Sequence, residues 1–195
     1  MDVEKNEEGG IMKLMIASDI HGYLDNTKAL IKKFEMHKAD KLIILGDIYH
    51  GYSYQDTKDY NPKEVIKMLN ELTTPIVSVR GNCDSDYDED ISPVGLLKEL
   101  VLEFNNRHIY FNHGHQGFPS VEFKQGDIYC HGHTHIPSIR ELDKIIVCNP
   151  GSVSLPRGGY KASYMIIDDD GIYIYDFLDQ LIINYNFEVN NEKDN

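Results

Sequence analysis

The chain has 195 residues, 41% hydrophobic and 10% aromatic, with 13 Tyr and no Trp, a make-up that suits one globular domain and leaves no room for two separate cores. Nineteen basic against 32 acidic side chains give a net charge of −13; that field repels polyanions and argues against stable nucleic-acid binding or attachment to an anionic membrane face. Three Cys without C-x-x-C spacing argue against a disulfide framework or a thiolate zinc site and fit a reducing cytoplasm, and no signal peptide or bilayer-spanning apolar run is read.

Residues 1–11 are polar and acidic and include Gly9-Gly10, which reads as a flexible arm or an appended remnant. One domain is expected over residues 12–189, with residues 190–195 a frayed polar tail. Residues 13–17 form an apolar run that stops at Ser18-Asp19, the pattern of a buried parallel strand entering a polar loop. Residues 25–36 carry Leu30, Ile31 and Phe34 at helical spacing, with Asp25 or Asn26 as a cap. The unit repeats: a strand at 41–45 ends in Gly46-Asp47, Asn61-Pro62 opens a second helix, and a strand at 76–79 ends in Arg80-Gly81-Asn82-Cys83-Asp84. Beyond Asp90 the texture becomes β-rich. A hairpin is expected across Asn105-Asn106, followed by short strands at 128–130, 139–142, 145–148, 164–167 and 172–177. Two textures in one small chain predict two packed sheets with helices outside.

Five polar groups stand at the ends of these strands: Asp19-Ile20-His21, Gly46-Asp47, Gly81-Asn82-Cys83-Asp84, Asn112-His113-Gly114-His115 and Gly132-His133-Thr134-His135. Six of the nine His fall between positions 108 and 135, a concentration that helix packing does not call for. Imidazole with carboxylate is the vocabulary of metal ligation, and residues two apart in an extended backbone address a common centre. Each pair alone is weak; five in order make chance improbable. The candidate ligands outnumber what one ion takes while leaving room for substrate, so two ions sharing a carboxylate are expected, and hydrolysis of a phosphate ester is the matching reaction. Oxygen and nitrogen donors suit manganese, iron, cobalt, nickel or zinc. The acidic run Asp84, Asp86, Asp88, Glu89 and Asp90 reads as a solvated loop, Cys130 and Cys148 as small buried hydrophobes, and residues 149–152 as a structural turn. Tyr49, His50, Tyr52 and Tyr54 are candidates to line a substrate cleft, with a polar surface loop the equal alternative.

Together the motifs, with residues 12–22, 79–85, 113–115 and Asn149-Pro150-Gly151-Ser152-Val153-Ser154, resemble the calcineurin-like metallophosphoesterase superfamily, in detail its small YfcE-type phosphodiesterase branch. The resemblance implies a four-layer α-β-β-α sandwich of two stacked mixed sheets flanked by helices. It puts Asp19, His21, Asp47 and His135 around one metal, with Asp47 bridging to a second held by Asn82, His113 and His133. It implies two divalent ions, manganese first and nickel, cobalt, iron or zinc as alternatives. The expected reaction is hydrolysis of a small phosphodiester by in-line attack of a metal-bridging hydroxide. Asn82 and His115 are the candidate catalytic groups, His115 as proton donor or as a support for the ligand His113. Asn82, Cys83 and Arg80 are the candidate substrate contacts, Arg80 having the alternative of pairing with the acidic run. Many relatives carry His where this chain has Cys83, and a neutral thiol supplies neither cation nor good acid near neutral pH; in this branch Cys goes with preference for diesters. The alternatives are a phosphomonoesterase acting on a nucleotide, sugar phosphate or phosphoprotein, and a metal-stabilised protein-binding scaffold like the family's retromer-subunit relatives. A homodimer or homotetramer is expected by the same resemblance.

Overall fold

The computed structural model describes residues 3–4, 12–50, 59–73 and 75–187. The expected arm at 1–11 lies outside these residues except for β1 (Val3–Glu4), a two-residue strand. The frayed tail and most of the loop with Tyr52 and Tyr54 lie outside them as well.

The first part alternates as its apolar runs predict: β2 (Leu14–Ala17), α1 (Leu24–His37), β3 (Lys41–Ile44), α2 (Pro62–Glu71) and β4 (Ile76–Ser78). The β-rich part follows α3 (Asp86–Ile91) and comprises β5 (Leu100–Phe104), β6 (Arg107–Phe111), β7 (Ile128–Cys130), β8 (Ser138–Leu142), β9 (Ile145–Asn149), β10 (Ser163–Asp168), β11 (Gly171–Asp176) and β12 (Leu181–Asn186). They form two six-stranded mixed sheets, ordered β1-β5-β6-β7-β9-β8 and β12-β11-β10-β2-β3-β4. Each contains three adjacent parallel strands, β6-β7-β9 inside the first and β2-β3-β4 running from the middle to the edge of the second.

Strand β2 is buried on both faces, which explains why it reads as a continuous apolar run instead of an alternating one. Leu14 and Ile16 face the core between the sheets with Ile43, Leu102, Phe104, Ile109, Phe111 and Ile128. Met15 and Ala17 face Leu30 and Phe34 of α1 and Val65 and Leu69 of α2. Burial of each large aliphatic or aromatic side chain contributes about 1.5–3 kcal/mol before ordering costs. Over the outer face of the first sheet, Val101, Tyr110, Tyr129 and Val147 are covered by Val121 and Phe123 of a loop. The result is the expected α/β sandwich of two stacked mixed sheets.

Local details differ instructively from expectation. Helix α1 starts at Leu24 and takes its cap from outside: Asp59 Oδ1 accepts the Asp25 N–H at 2.7 Å, while Asn26 donates to the Val153 carbonyl. Asn61 caps α2 as expected by accepting the Glu64 N–H. Asn105 and Asn106 both hold left-handed backbone, with φ 48° and 61°, as a two-residue hairpin turn requires. The acidic run is not a solvated loop. Asp86, Asp88, Glu89 and Asp90 lie in α3, nucleated by a capping box in which the Ser85 hydroxyl accepts the Asp88 N–H and Asp88 accepts the Ser85 N–H. Asp84 and Asp88 are only 4% and 2% exposed.

Candidate metal centre

The six strands of these two parallel sets, β6-β7-β9 and β2-β3-β4, end on one side of the sandwich, and the loops that follow them supply every candidate ligand. Asp19 and His21 follow β2, Asp47 follows β3, Asn82 follows β4, His113 follows β6, and His133 and His135 follow β7. The carboxyl ends of parallel strands are where open α/β sheets place ligands, and here two sheets bring theirs together. The loops are tied to one another by backbone bonds from Asp19 N–H to Gly46 O, His21 N–H to Asp47 O, Gly132 N–H to His113 O and Val153 N–H to Ser18 O. Packing is close enough that a Cβ at Gly132 would overlap Ser18 Oγ, and one at Gly81 would overlap Asp47 Oδ1.

Asp19, His21, Asp47 and His135 are fully buried, and His113 is nearly so. Asp19, His21 and His135 bring one donor atom each to within 4.8 Å of one another, as do Asp19, Asp47 and His113. His135 Nε2 lies 3.2 Å and His21 Nε2 3.7 Å from Asp19 Oδ1, and the two nitrogens are 3.5 Å apart. Asp47 Oδ2 stands between the two groups, 3.8 Å from His21 Nε2 and 3.3 Å from His113 Nε2. Asn82 Oδ1 is 3.0 Å from His113 Nε2. His133 is half-buried; its ring centroid lies 5.2 Å from that of His113, and its buried Nδ1 has no hydrogen-bond partner among the described residues.

Two features fit this donor set to a cation. First, the Nδ1 atoms of His21, His113 and His135 face the backbone carbonyls of His50, Leu45 and Leu155. A carbonyl only accepts, so each Nδ1 carries the proton and each Nε2 lone pair is turned inward, the tautomer a metal takes. Second, each carboxylate has one oxygen fixed and one left over. Asp19 Oδ2 accepts the His133 N–H and Asp47 Oδ1 the Cys83 N–H, whereas Asp19 Oδ1 and Asp47 Oδ2 are buried and accept no hydrogen bond from the described residues. A buried unsatisfied acceptor costs about 1–3 kcal/mol, more when charged. Bonds of about 2.0–2.2 Å to one tetrahedral ion separate neighbouring donors by roughly 3.3–3.6 Å, close to the spacings seen.

Charge follows the same pattern. Burial raises the Asp19 carboxyl pKa, but the His135 and His21 imidazoles outweigh it and hold the group well below its ordinary range. For Asp47, burial is outweighed by His113 and by the Cys83 N–H, and the net shift is again downward. Burial works against protonation of His21 and His113, yet the adjoining carboxylates raise both. The carboxylates stay anionic, and protons compete with metal for the imidazoles.

The remaining sequence candidates are placed unequally. His115 is exposed beside the site, its ring centroid 5.5 Å from that of His113 and 6.2 Å from that of His133. Arg80 lines the adjoining cleft, but its guanidinium is engaged with Asp86 at 2.6 Å, Glu89 at 3.1 Å and the Asp84 carbonyl at 3.2 Å, the pairing alternative foreseen for it. Cys83 is half-exposed, and its Sγ lies within the 4.8 Å group formed with His21 and Asp47, nearer the ligands than its expected substrate role required. Tyr49 does not line a cleft: it is buried with its hydroxyl on Ser92. Cys130 and Cys148 are buried cross-strand partners, as expected of small core residues.

Sequence reasoning passed over the supports. Ser152 Oγ donates to the Asp19 carbonyl, and Asn149 Nδ2 donates to Gly132 O at 2.7 Å, so the turn at residues 149–152 braces two ligand loops. Asp84, assigned to solvent, accepts three backbone N–H groups from the loops that carry Asp47 and Asn82. Their burial could have been suspected only from the strand ends they follow.

A two-sheet α/β sandwich gathering carboxylates and imidazoles at its strand ends defines a metal-dependent phosphoesterase. Residues 12–171 match the calcineurin-like phosphoesterase superfamily domain, and the chain belongs to that superfamily. It is 38% identical over 180 residues to phosphodiesterase YfcE of Escherichia coli K12, a match covering 89% of this chain and 96% of the relative. The solved structure of YfcE, a phosphoesterase from E. coli, aligns with TM-score 0.83 at 32% identity over 91% of this chain and 100% of that one. Vacuolar protein sorting 29 from Cryptosporidium parvum aligns with TM-score 0.63 at 18% identity over 91% of this chain and 99% of that one, a likeness of fold alone. Among the described residues no helix is long and apolar enough to cross a membrane.

Proposed function

We propose that the chain is a phosphodiesterase with two metal ions, Asp19, His21, Asp47 and His135 holding one, and Asp47, shared, joining Asn82, His113 and His133 at the other. The observation that carries this reading is the pair of buried, unsatisfied oxygens, Asp19 Oδ1 and Asp47 Oδ2, faced by imidazole nitrogens whose tautomers are fixed. Bound divalent ions would polarise phosphoryl oxygens and lower the pKa of a water. Manganese is the first candidate, with nickel, cobalt, iron and zinc compatible with the donors.

The chain's own residues then select and orient the ester. A cleft of about 540 Å³ adjoins the centre, with Asn82, His113, His115, Arg80, Lys98 and Gln116 on its walls, a volume suited to a small substrate. Asn82 can donate its amide to a phosphoryl oxygen while its Oδ1 faces the centre. His115, exposed on the wall, is the group within reach to protonate a leaving alkoxide. Cys83 supports the diester over the monoester. A monoester brings a second negative charge that a neutral thiol does not offset, whereas a diester has a single charge for the centre to neutralise. The net charge of −13 disfavours an extended polyanion, so a small diester is the substrate class. Three cysteines without C-x-x-C spacing suit a cytoplasmic setting, and a homodimer or homotetramer stays the expected assembly.

Hydrolysis of a chromogenic diester and the matching monoester, side by side with manganese present, tests the reading. The diester should turn over faster, and Cys83→His should raise monoester turnover by supplying the missing cation. Faster monoester turnover by the parent protein would contradict it.

A further inference from the structure

Asp84 is an anomaly among the acidic residues. Its side chain is buried, and no Lys, Arg or His nitrogen lies within ion-pair distance of its carboxylate among the described residues; Arg80 reaches only its backbone carbonyl. A buried carboxylate without a cation is costly to keep, and the groups that offset the cost here are backbone N–H donors. Asp84 Oδ2 accepts the N–H of Asp47 and of Gly81, each at 2.8 Å, and Oδ1 accepts the N–H of Ile48 at 2.9 Å.

The donors come from two loops. Asp47 and Ile48 follow β3; Gly81 follows β4 and precedes Asn82. The tie is reciprocal, because Asp47 Oδ1 accepts the N–H of Cys83 at 2.7 Å. Asp84 thus fixes the backbone on which Asp47 stands, and Asp47 fixes the backbone beside Asp84. Asn82 is held between two tethered neighbours, Gly81 and Cys83. Gly81 itself has no room to move toward Asp47, since a Cβ there would already overlap the Asp47 side chain and backbone nitrogen. Asp47 keeps its left-handed φ of 52°, a conformation that persists only where neighbouring bonds impose it.

We infer that Asp84 is a positioning residue: its carboxylate locks the loop carrying Asp47 to the loop carrying Asn82 and so sets the affinity of the metal held on the Asn82 side. This rests on the two-metal reading above. An Asp84→Asn side chain keeps the size but offers one acceptor oxygen and points an NH2 group at backbone donors, so at least one N–H loses its partner and the clamp opens. Outer residues that orient metal ligands typically tune affinity by about 10–100-fold.

Manganese titration of metal-stripped protein by calorimetry tests the inference. Asp127 provides a control for loss of a buried, backbone-bonded aspartate away from the site: it lies at the opposite end of β7, accepts the N–H groups of His108 and Lys124 at 2.9 and 2.8 Å, and has His108 Nδ1 at 3.5 Å. The parent should bind two equivalents. Asp84→Asn should weaken one equivalent about tenfold or more and leave the other within threefold; raising manganese should restore kcat for the diester with KM unchanged. Asp127→Asn should bind both equivalents like the parent. If Asp84→Asn does not fold by circular dichroism, Asp84→Ser, which leaves space for a water to take the N–H groups, carries the same expectation. Two unchanged equivalents in the Asp84 variant, or equal weakening in the Asp127 variant, would overturn the inference while leaving the metal centre intact. A parent that binds no manganese would overturn both together.

Discussion

Asp19, His21, Asp47, His133 and His135 all hold left-handed backbone, with φ between 52° and 67°. A non-glycine residue pays about 1–2 kcal/mol for that conformation, and half of the ten such residues described are candidate ligands, so the strain is concentrated where donors must be turned inward. Gly132 is one of the contacts that holds it. A Cβ there would overlap Ser18 Oγ and lie 3.0 Å from Ser18 Cβ and 3.1 Å from Asp19 Oδ2. Gly132→Ala should therefore force the His133 loop away from Asp19, destabilise the protein by about 1–3 kcal/mol as overpacking does and lower manganese-supported diester hydrolysis. Adding Ser18→Ala removes the nearest atom and should recover part of both losses. Thermal unfolding and rate measurements on the two variants check this, and a Gly132→Ala protein equal to the parent in both would refute it. At this scale the candidate donors were legible because their chemistry is in the side chain. The carbonyls of Leu45, His50 and Leu155 that fix the imidazoles were not, since every residue carries one.

Helix α1 meets the second sheet through a polar contact as well as an apolar face. His37, in its last turn, has Nε2 at 2.9 Å from the Tyr164 hydroxyl of β10, and Tyr164 in turn donates to Asp179 at 3.3 Å. Burial, with Lys13 and Lys33 adding to it against the pull of Asp179, lowers the His37 pKa from its ordinary 6.5. Its sign follows from proton counting. Below pH 6.5 the unfolded chain protonates His37 while the folded chain resists, so the unfolded state binds more protons and stability falls as pH drops from about 6.5 to the lower folded value. Denaturation of metal-stripped protein at several pH values should show His37→Gln losing stability less steeply than the parent across that window; identical slopes would count against the assignment. The elements themselves were legible where an apolar run or a helical period marks them, which covers β2 to β4, α1, α2 and most of the later strands. Helix α3 was hidden because Asp86–Ile91 has no apolar period and is nucleated by Ser85 and Asp88 instead. Strand β12 was hidden because an edge strand with one exposed side shows no clean alternation, and a register shift lies opposite it in β11.

For the whole molecule, the site is a consequence of topology. Two sheets each carry three adjacent parallel strands, and stacking them brings six loop-bearing strand ends to one side, with the core between the sheets fixing the distance across it. Neither sheet alone supplies the donor set: Asp19, His21, Asp47 and Asn82 come from the second, His113, His133 and His135 from the first. The order of motifs announced this arrangement, because each donor group follows an apolar run. What the order did not disclose is the bracing between loops by Asp84, Asn149 and Ser152, which depends on which strands lie side by side. We therefore propose that the donors from both sheets act as one centre around a shared Asp47. The most direct test is diester hydrolysis by metal-stripped protein as manganese is added back, for the parent and for Asp47→Asn, with bound metal counted at each point. Activity should rise as a second equivalent fills, and the variant should retain its fold but lose both the second equivalent and the activity. A variant that keeps both, or a parent fully active without metal, would contradict the proposal.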